Sequence, residues 1–165
     1  MSQSSWWVGK ARQVRTHLTA RVSPEERRSV AAWTHPGELT LFDAMHVADR
    51  RHGLSVVAAL RRGGVTDRDV LAAGLLHDCA KGDTGLWPRI AWSLGEVLGP
   101  WFPAAVARLP GWAAPMARLR DHADASAAAL DATGLPARAV DLVRYQAAPR
   151  DPELGRLFHA ADEAS

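Results

Sequence analysis

Apolar residues recur every three or four positions along almost the whole of this chain, and nowhere do β-branched residues alternate with polar ones. A period near 3.6 turns one face of a helix toward a core, whereas a half-buried strand needs a period of two. The pattern predicts an all-α fold, a compact single-domain helical bundle. A chain of 165 residues is long enough to bury a sizeable core in one domain. Cap chemistry marks the helix ends. Ser23-Pro24-Glu25 opens one helix and Pro36-Gly37-Glu38 another, while a long helix from about Val47 to Arg62 stops at Gly63-Gly64. Thr66 and Asp69 have capping-box spacing at the start of the helix that reaches His77. Further helices are expected from Trp87-Pro88 to Gly99-Pro100 and over 117–132, 136–147 and 152–164. Asp151 is the expected N-cap of the last, and 100–116 reads as short helices and turns. Residues 5–20 carry a basic amphipathic pattern, so 1–40 reads as a helical extension packed on a domain of residues 41–165.

Charge and cysteine content narrow the function classes. The formal net charge is only +2, and the basic residues are scattered among acids, so no nucleic-acid partner is expected. A single cysteine, Cys79, excludes an internal disulfide and suits a reducing compartment. No stretch offers 18 apolar residues without charge, so no membrane span is expected, and "MSQSSWWVGKARQVR" lacks the apolar core of a signal peptide. A cytoplasmic protein is the expectation. Trp6 and Trp7 beside Lys10, Arg12 and Arg15 fit helix packing or a homodimer contact better than a membrane surface.

The chemistry lies where polar groups fall on apolar helical rows. His77 shares a row with Val70 and Gly74, Asp78 with Leu71 and Leu75, and His52 with Ala48, Val56 and Ala59. Asp162 follows Phe158 by four residues. Taken singly, a core histidine with a hydrogen bond, a helix-end aspartate or an Asp–Arg pair explains each of them. Taken together, two His and two Asp on three helices can satisfy one another around a divalent ion, since an unpaired buried carboxylate is costly.

The stretches "ADRRHGLSVVAAL", "LAAGLLHDCAKGD" and "LFHAADEAS" resemble the three blocks of the HD-domain superfamily of metal-dependent phosphohydrolases, from about Phe42 to the C-terminus. Its pattern is His, then a His-Asp doublet, then a distant Asp. The resemblance implies an all-α fold and one divalent ion (Mn, Fe, Co, Ni, Zn or Mg) held by His52, His77, Asp78 and Asp162. It further implies hydrolysis of a small phosphorylated substrate, nucleotide-like in class, by an ion-activated water, with Asp78, Lys81 and His122 as catalytic candidates. Lys81 reads either as a phosphate contact or as a solvated lysine favoured by the helix dipole. Arg51, with Arg50, is a candidate substrate contact that also fits a plain surface role. His122 stands where two-metal relatives carry a further ligand, and is expected to contact substrate, act as general acid or line the cleft. Tyr145 and Gln146 stand where such relatives would carry imidazoles, so one ion is expected. The "GYP" block of cyclic-dinucleotide phosphodiesterases is absent. A catalytically weak HD-fold module that binds metal or nucleotide is the alternative. His46 and Asp49 read as local helix contacts. Trp87, Trp92, Trp101 and Trp112 read as core or lid aromatics, one of which could stack on a base.

Overall fold

A computed structural model describes residues 19–165; the expected helix over 5–20, with its tryptophans, lies outside them except for its last two residues. Nine α-helices follow in order among the described residues: α1 Pro24–Ala31, α2 Pro36–Ala44, α3 Val47–Arg62, α4 Arg68–Leu76, α5 Leu86–Leu98, α6 Trp101–Val106, α7 Ala113–Ala132, α8 Ala137–Arg144 and α9 Leu154–Glu163. No strand occurs among those residues. The bundle is all-α, compact and a single domain.

The cap chemistry largely sets these boundaries, with local corrections. Ser23 accepts from the Glu26 amide while Glu26 accepts from the Ser23 amide, a complete capping box on α1. At α4 the cap is Asp67 rather than Thr66. Its short carboxylate accepts from the amides of Asp69 and Val70, which a residue one position earlier does not do. Helix α7 begins at Ala113, four residues before the expected start, because Pro115 falls in the first turn, where a missing N–H costs nothing. Helix α8 ends at Arg144 instead of 147. Pro149 lies just downstream and disfavours helical backbone in the residue before it. Helix α9 starts at Leu154, two residues later than expected. Asp151 still caps it from outside, accepting from the Glu153 and Leu154 amides.

Helix α4 is the axis of the fold. Every residue from Val70 to Leu76 is buried, and the helix packs on α3, α8, α2 and α7. A helix that is apolar all round has nowhere to go but the centre. Phe42, Val56, Leu60, Leu75, Leu130, Val143 and Phe158 fill the core around it, and Val30 of α1 belongs to the same cluster. A smaller apolar cluster, Ala91, Met116 and Leu119 with Trp92 and Trp112 against it, joins α5 and α6 to α7. No helix among the described residues is long and apolar enough to cross a membrane.

Candidate metal centre

Helix α4 ends on His77, which is 1 % exposed. Its Nδ1–H donates to the Gly74 carbonyl at 2.9 Å, which leaves Nε2 pointing away from the helix end. Asp162 of α9 places Oδ1 at 3.2 Å from that nitrogen, and Asp78 places Oδ2 at 3.5 Å. The same Asp162 oxygen lies 2.8 Å from His52 Nε2 on α3. The two imidazoles meet edge to face at 5.1 Å, and Phe158, one turn before Asp162, packs its ring against His77. Ligand atoms of His52, His77 and Asp162 all lie within 4.8 Å of one another. With bonds of about 2.1 Å, an ion separates adjacent ligand atoms by about 3 Å and opposite ones by about 4 Å, so this spacing fits one ion. Asp78 Oδ1 is buried without a hydrogen-bond partner, an orphaned negative oxygen beside the cluster.

Electrostatics tie the groups together. Burial works against an imidazolium at His77, but the carboxylates of Asp78 and Asp162 outweigh it and push the ring up to about 9. Burial likewise disfavours a charged Asp78. His77 and Lys81 more than offset this and hold the carboxyl well below its usual range. Asp162 is held low in the same way by hydrogen bonds from His52 and His77. The sign of the linkage follows. The His77 contribution to stability is full below its ordinary value of 6.5 and is lost as pH rises through about 9. The two aspartates contribute above their ordinary value of 3.8 and lose that contribution as pH falls through their lower folded values. Metal-free protein in chelator is therefore expected to lose stability as pH rises from 6.5 toward 9. A Tm that climbs steadily from pH 6 to 9 in chelator contradicts this charge arrangement.

The remaining sequence candidates are distributed unevenly. Lys81 is partly buried, and its Nζ donates to Asp78 Oδ2 at 2.6 Å, so it faces the doublet rather than bulk water. His122 of α7 donates from Nδ1 to the Leu119 carbonyl at 2.7 Å. Its Nε2 accepts from the Gln146 amide at 3.1 Å and lies 3.6 Å from Asp78 Oδ1. Burial first, and Lys81 second, hold this imidazole below its ordinary value. Arg51 is not brought to the cluster: its Nη2 pairs with Glu26 of α1 at 2.5 Å. Tyr145 lies under the Arg150 guanidinium at 3.6 Å. Trp87 and Trp101 are exposed, while Trp92 and Trp112 pack on the smaller apolar cluster.

One group departs from its expected role. Asp49 makes no merely local contact; it is 4 % exposed and binds Arg89 of α5 through both carboxylate oxygens. Its place one turn before His52 was the available signal, but nothing in the sequence names a partner forty residues away. His46, by contrast, accepts from the Ala48 amide at the start of α3, a local helix contact.

No family model, curated protein or solved structure matches the chain.

Proposed function

We propose that this chain is a metal-dependent phosphohydrolase of the HD type, acting on a phosphomonoester or phosphodiester of a small, nucleotide-like molecule. One observation carries the reading: His52, His77 and Asp162 converge from separate helices beside the orphaned oxygen of Asp78. These four would hold one divalent ion, because mixed imidazole and carboxylate donors suit Mn, Fe, Co, Ni, Zn or Mg better than a soft cation. Such an ion, when bound, supplies Lewis acidity and an acidified water at neutral pH.

The chain's own residues supply the rest. The Gly74 carbonyl fixes the His77 tautomer, the usual outer support of a ligating imidazole. Lys81, already held beside Asp78, binds and orients a phosphoryl oxygen and offsets its charge. His122 donates from Nδ1 to the Leu119 carbonyl and the single lone pair of Nε2 accepts from Gln146, so in this arrangement it lines the cleft. The general-acid role expected from the sequence would need a proton on Nε2, where Gln146 already donates. The Cys79 thiol is pushed up to about 11 by burial, so it is no nucleophile at neutral pH.

The test is elemental analysis, thermal melts with added Mn²⁺, Co²⁺, Ni²⁺ and Mg²⁺, and a hydrolysis screen on mono- and diesters. One ion per chain is expected. At an ion concentration about a thousandfold above Kd, Tm should rise by roughly 10 °C. Affinity should climb about tenfold per pH unit toward pH 9, because a proton must leave His77 for each ion bound. Absence of any ion, together with an unchanged Tm, sinks the proposal. A second reading, a binding module with little turnover, draws on Gln146 standing where a further imidazole would complete a larger centre. Ion uptake without hydrolysis of any ester favours it.

A further inference from the structure

Asp49 and Arg89 form a buried ion pair that the chemistry above leaves unused. Arg89 Nη1 donates to Asp49 Oδ1 at 2.6 Å and Nη2 to Oδ2 at 2.7 Å, a two-pronged match of fork to carboxylate. Its other hydrogen bonds reach a different segment. Nε donates to the Thr84 hydroxyl at 2.9 Å, and Nη2 also reaches the Gly82 carbonyl at 3.2 Å. One guanidinium on α5 thus ties α3, one turn from His52, to the loop that leaves the His77-Asp78 doublet.

That loop carries Lys81. On its near side the Ala80 amide donates to the Ser126 hydroxyl of α7 at 3.0 Å; on its far side Gly82, at φ +61°, is gripped by Arg89. The Lys81 backbone is therefore pinned from both neighbours. A lysine has four rotatable bonds, and its ammonium rests reliably on one carboxylate oxygen only if its backbone is held. Burying two charges merely to pack α5 on α3 is a poor use of them, since an apolar pair of similar volume does as well or better. An arginine with all three of its nitrogens hydrogen-bonded, to two different segments, sets geometry.

We infer that Asp49 and Arg89 are positioning residues for Lys81: their clamp fixes residues 80–85 so that the ammonium stays over Asp78 and presents itself to an incoming phosphoryl group. The inference rests on the reading of Lys81 as a phosphate contact.

Hydrogen exchange on the metal-free full chain tests the clamp. Arg89→Lys should speed exchange of the amides at 80–85 by about tenfold or more while leaving α4 and α9 unchanged. The pair replacement Asp49→Leu with Arg89→Met leaves no buried charge unpaired and should do the same even where the single variant folds poorly. Inorganic phosphate binding to the Mn²⁺-loaded protein tests the route through Lys81. Lys81→Met and Arg89→Lys should each weaken it by about tenfold, a typical cost of losing a supporting contact. Because Arg89 acts through Lys81, the double variant should also lose only about tenfold. A multiplied loss near a hundredfold, or unchanged exchange in the loop, overturns the inference. Wild-type protein that takes up Mn²⁺ but binds no phosphate overturns the role of Lys81 in the functional reading, and the clamp then stands or falls on the loop exchange.

Discussion

Asp78→Ala is expected to abolish metal binding and, with it, any hydrolysis. The residue is 2 % exposed, one of its oxygens holds Lys81, and the other is an unsatisfied charge beside His122. Losing a supporting contact typically lowers affinity by about 10–100-fold, and loss of this carboxylate should exceed that range if the proposal holds, because a proposed ligand and the anchor of Lys81 go together. Stability should fall in the metal-free protein too. Removing one partner of a buried ion pair costs about 3–5 kcal/mol, here moderated because His77 can shed its proton once its main counter-charge is gone. For a domain of this size that corresponds to a Tm lower by roughly 10 °C. Asp78→Asn separates the two effects, since it preserves shape and removes charge; it should lose the ion while melting closer to the wild type. Elemental analysis of purified variants decides the matter. One ion per chain retained in Asp78→Ala would remove Asp78 from the ligand set, whatever the stability.

Gly53→Ala is expected to damage both the fold and the centre, although no ligand is touched. A Cβ at this position would lie 2.2 Å from the carbonyl oxygen of Leu75, a backbone atom in the buried middle of the bundle. Helices α3 and α4 approach this closely only because Gly53 has no side chain. Neither backbone can yield cheaply, so the helices must part. The cost should reach about 3 kcal/mol or more, after the gain of about 1 kcal/mol that Ala brings to a helix interior. Gly53 adjoins His52 and Leu75 precedes His77 by two residues, so parting the helices also separates the two imidazoles. Metal affinity should therefore drop together with Tm. Gly74→Ala is the internal comparison. There a Cβ would meet the tip of Leu60 at 2.6 Å, a side chain that can turn aside, and the loss should be smaller. Equal melting temperatures for Gly53→Ala and wild type would show that the close approach is not what sets the spacing of His52 and His77.

Much of this was legible in the residues, and the reason differs from part to part. Helix α1 announced itself because Ser23 and Glu26 satisfy each other's amides within four residues, a purely local transaction. Helix α3 was equally plain, from its periodic apolar face to the glycines that stop it. Boundaries slipped where two local signals competed. Thr66 and Asp67 are both good caps, and only the backbone path into α4 selects Asp67. The end of α8 slipped because Pro149 stops a run that is otherwise compatible with helix through Ala148. For the site, helical phase could say that His52, His77, Asp78 and Asp162 face inward, because phase is a property of one helix at a time. It could not say that three of them meet, nor that Arg51 turns instead to Glu26 and Asp49 reaches Arg89.

The class of structure follows from local pattern: the 3.6-residue period, the caps and the apolar run from Val70 to Leu76 leave little besides a helical bundle around α4. Register with Leu, Val and Ala also turned four polar groups inward, of which His77 and Asp78 are buried and His52 and Asp162 half-buried. Which inward-facing groups become partners depends on how the helices pack. His52 and Asp162 are 110 residues apart in the chain and 2.8 Å apart in space. Such contacts depend on how closely whole helices approach, as α3 approaches α4 where Gly53 meets the Leu75 carbonyl. Interhelical distance is a property of the packed core, so no local pattern along the chain can carry it.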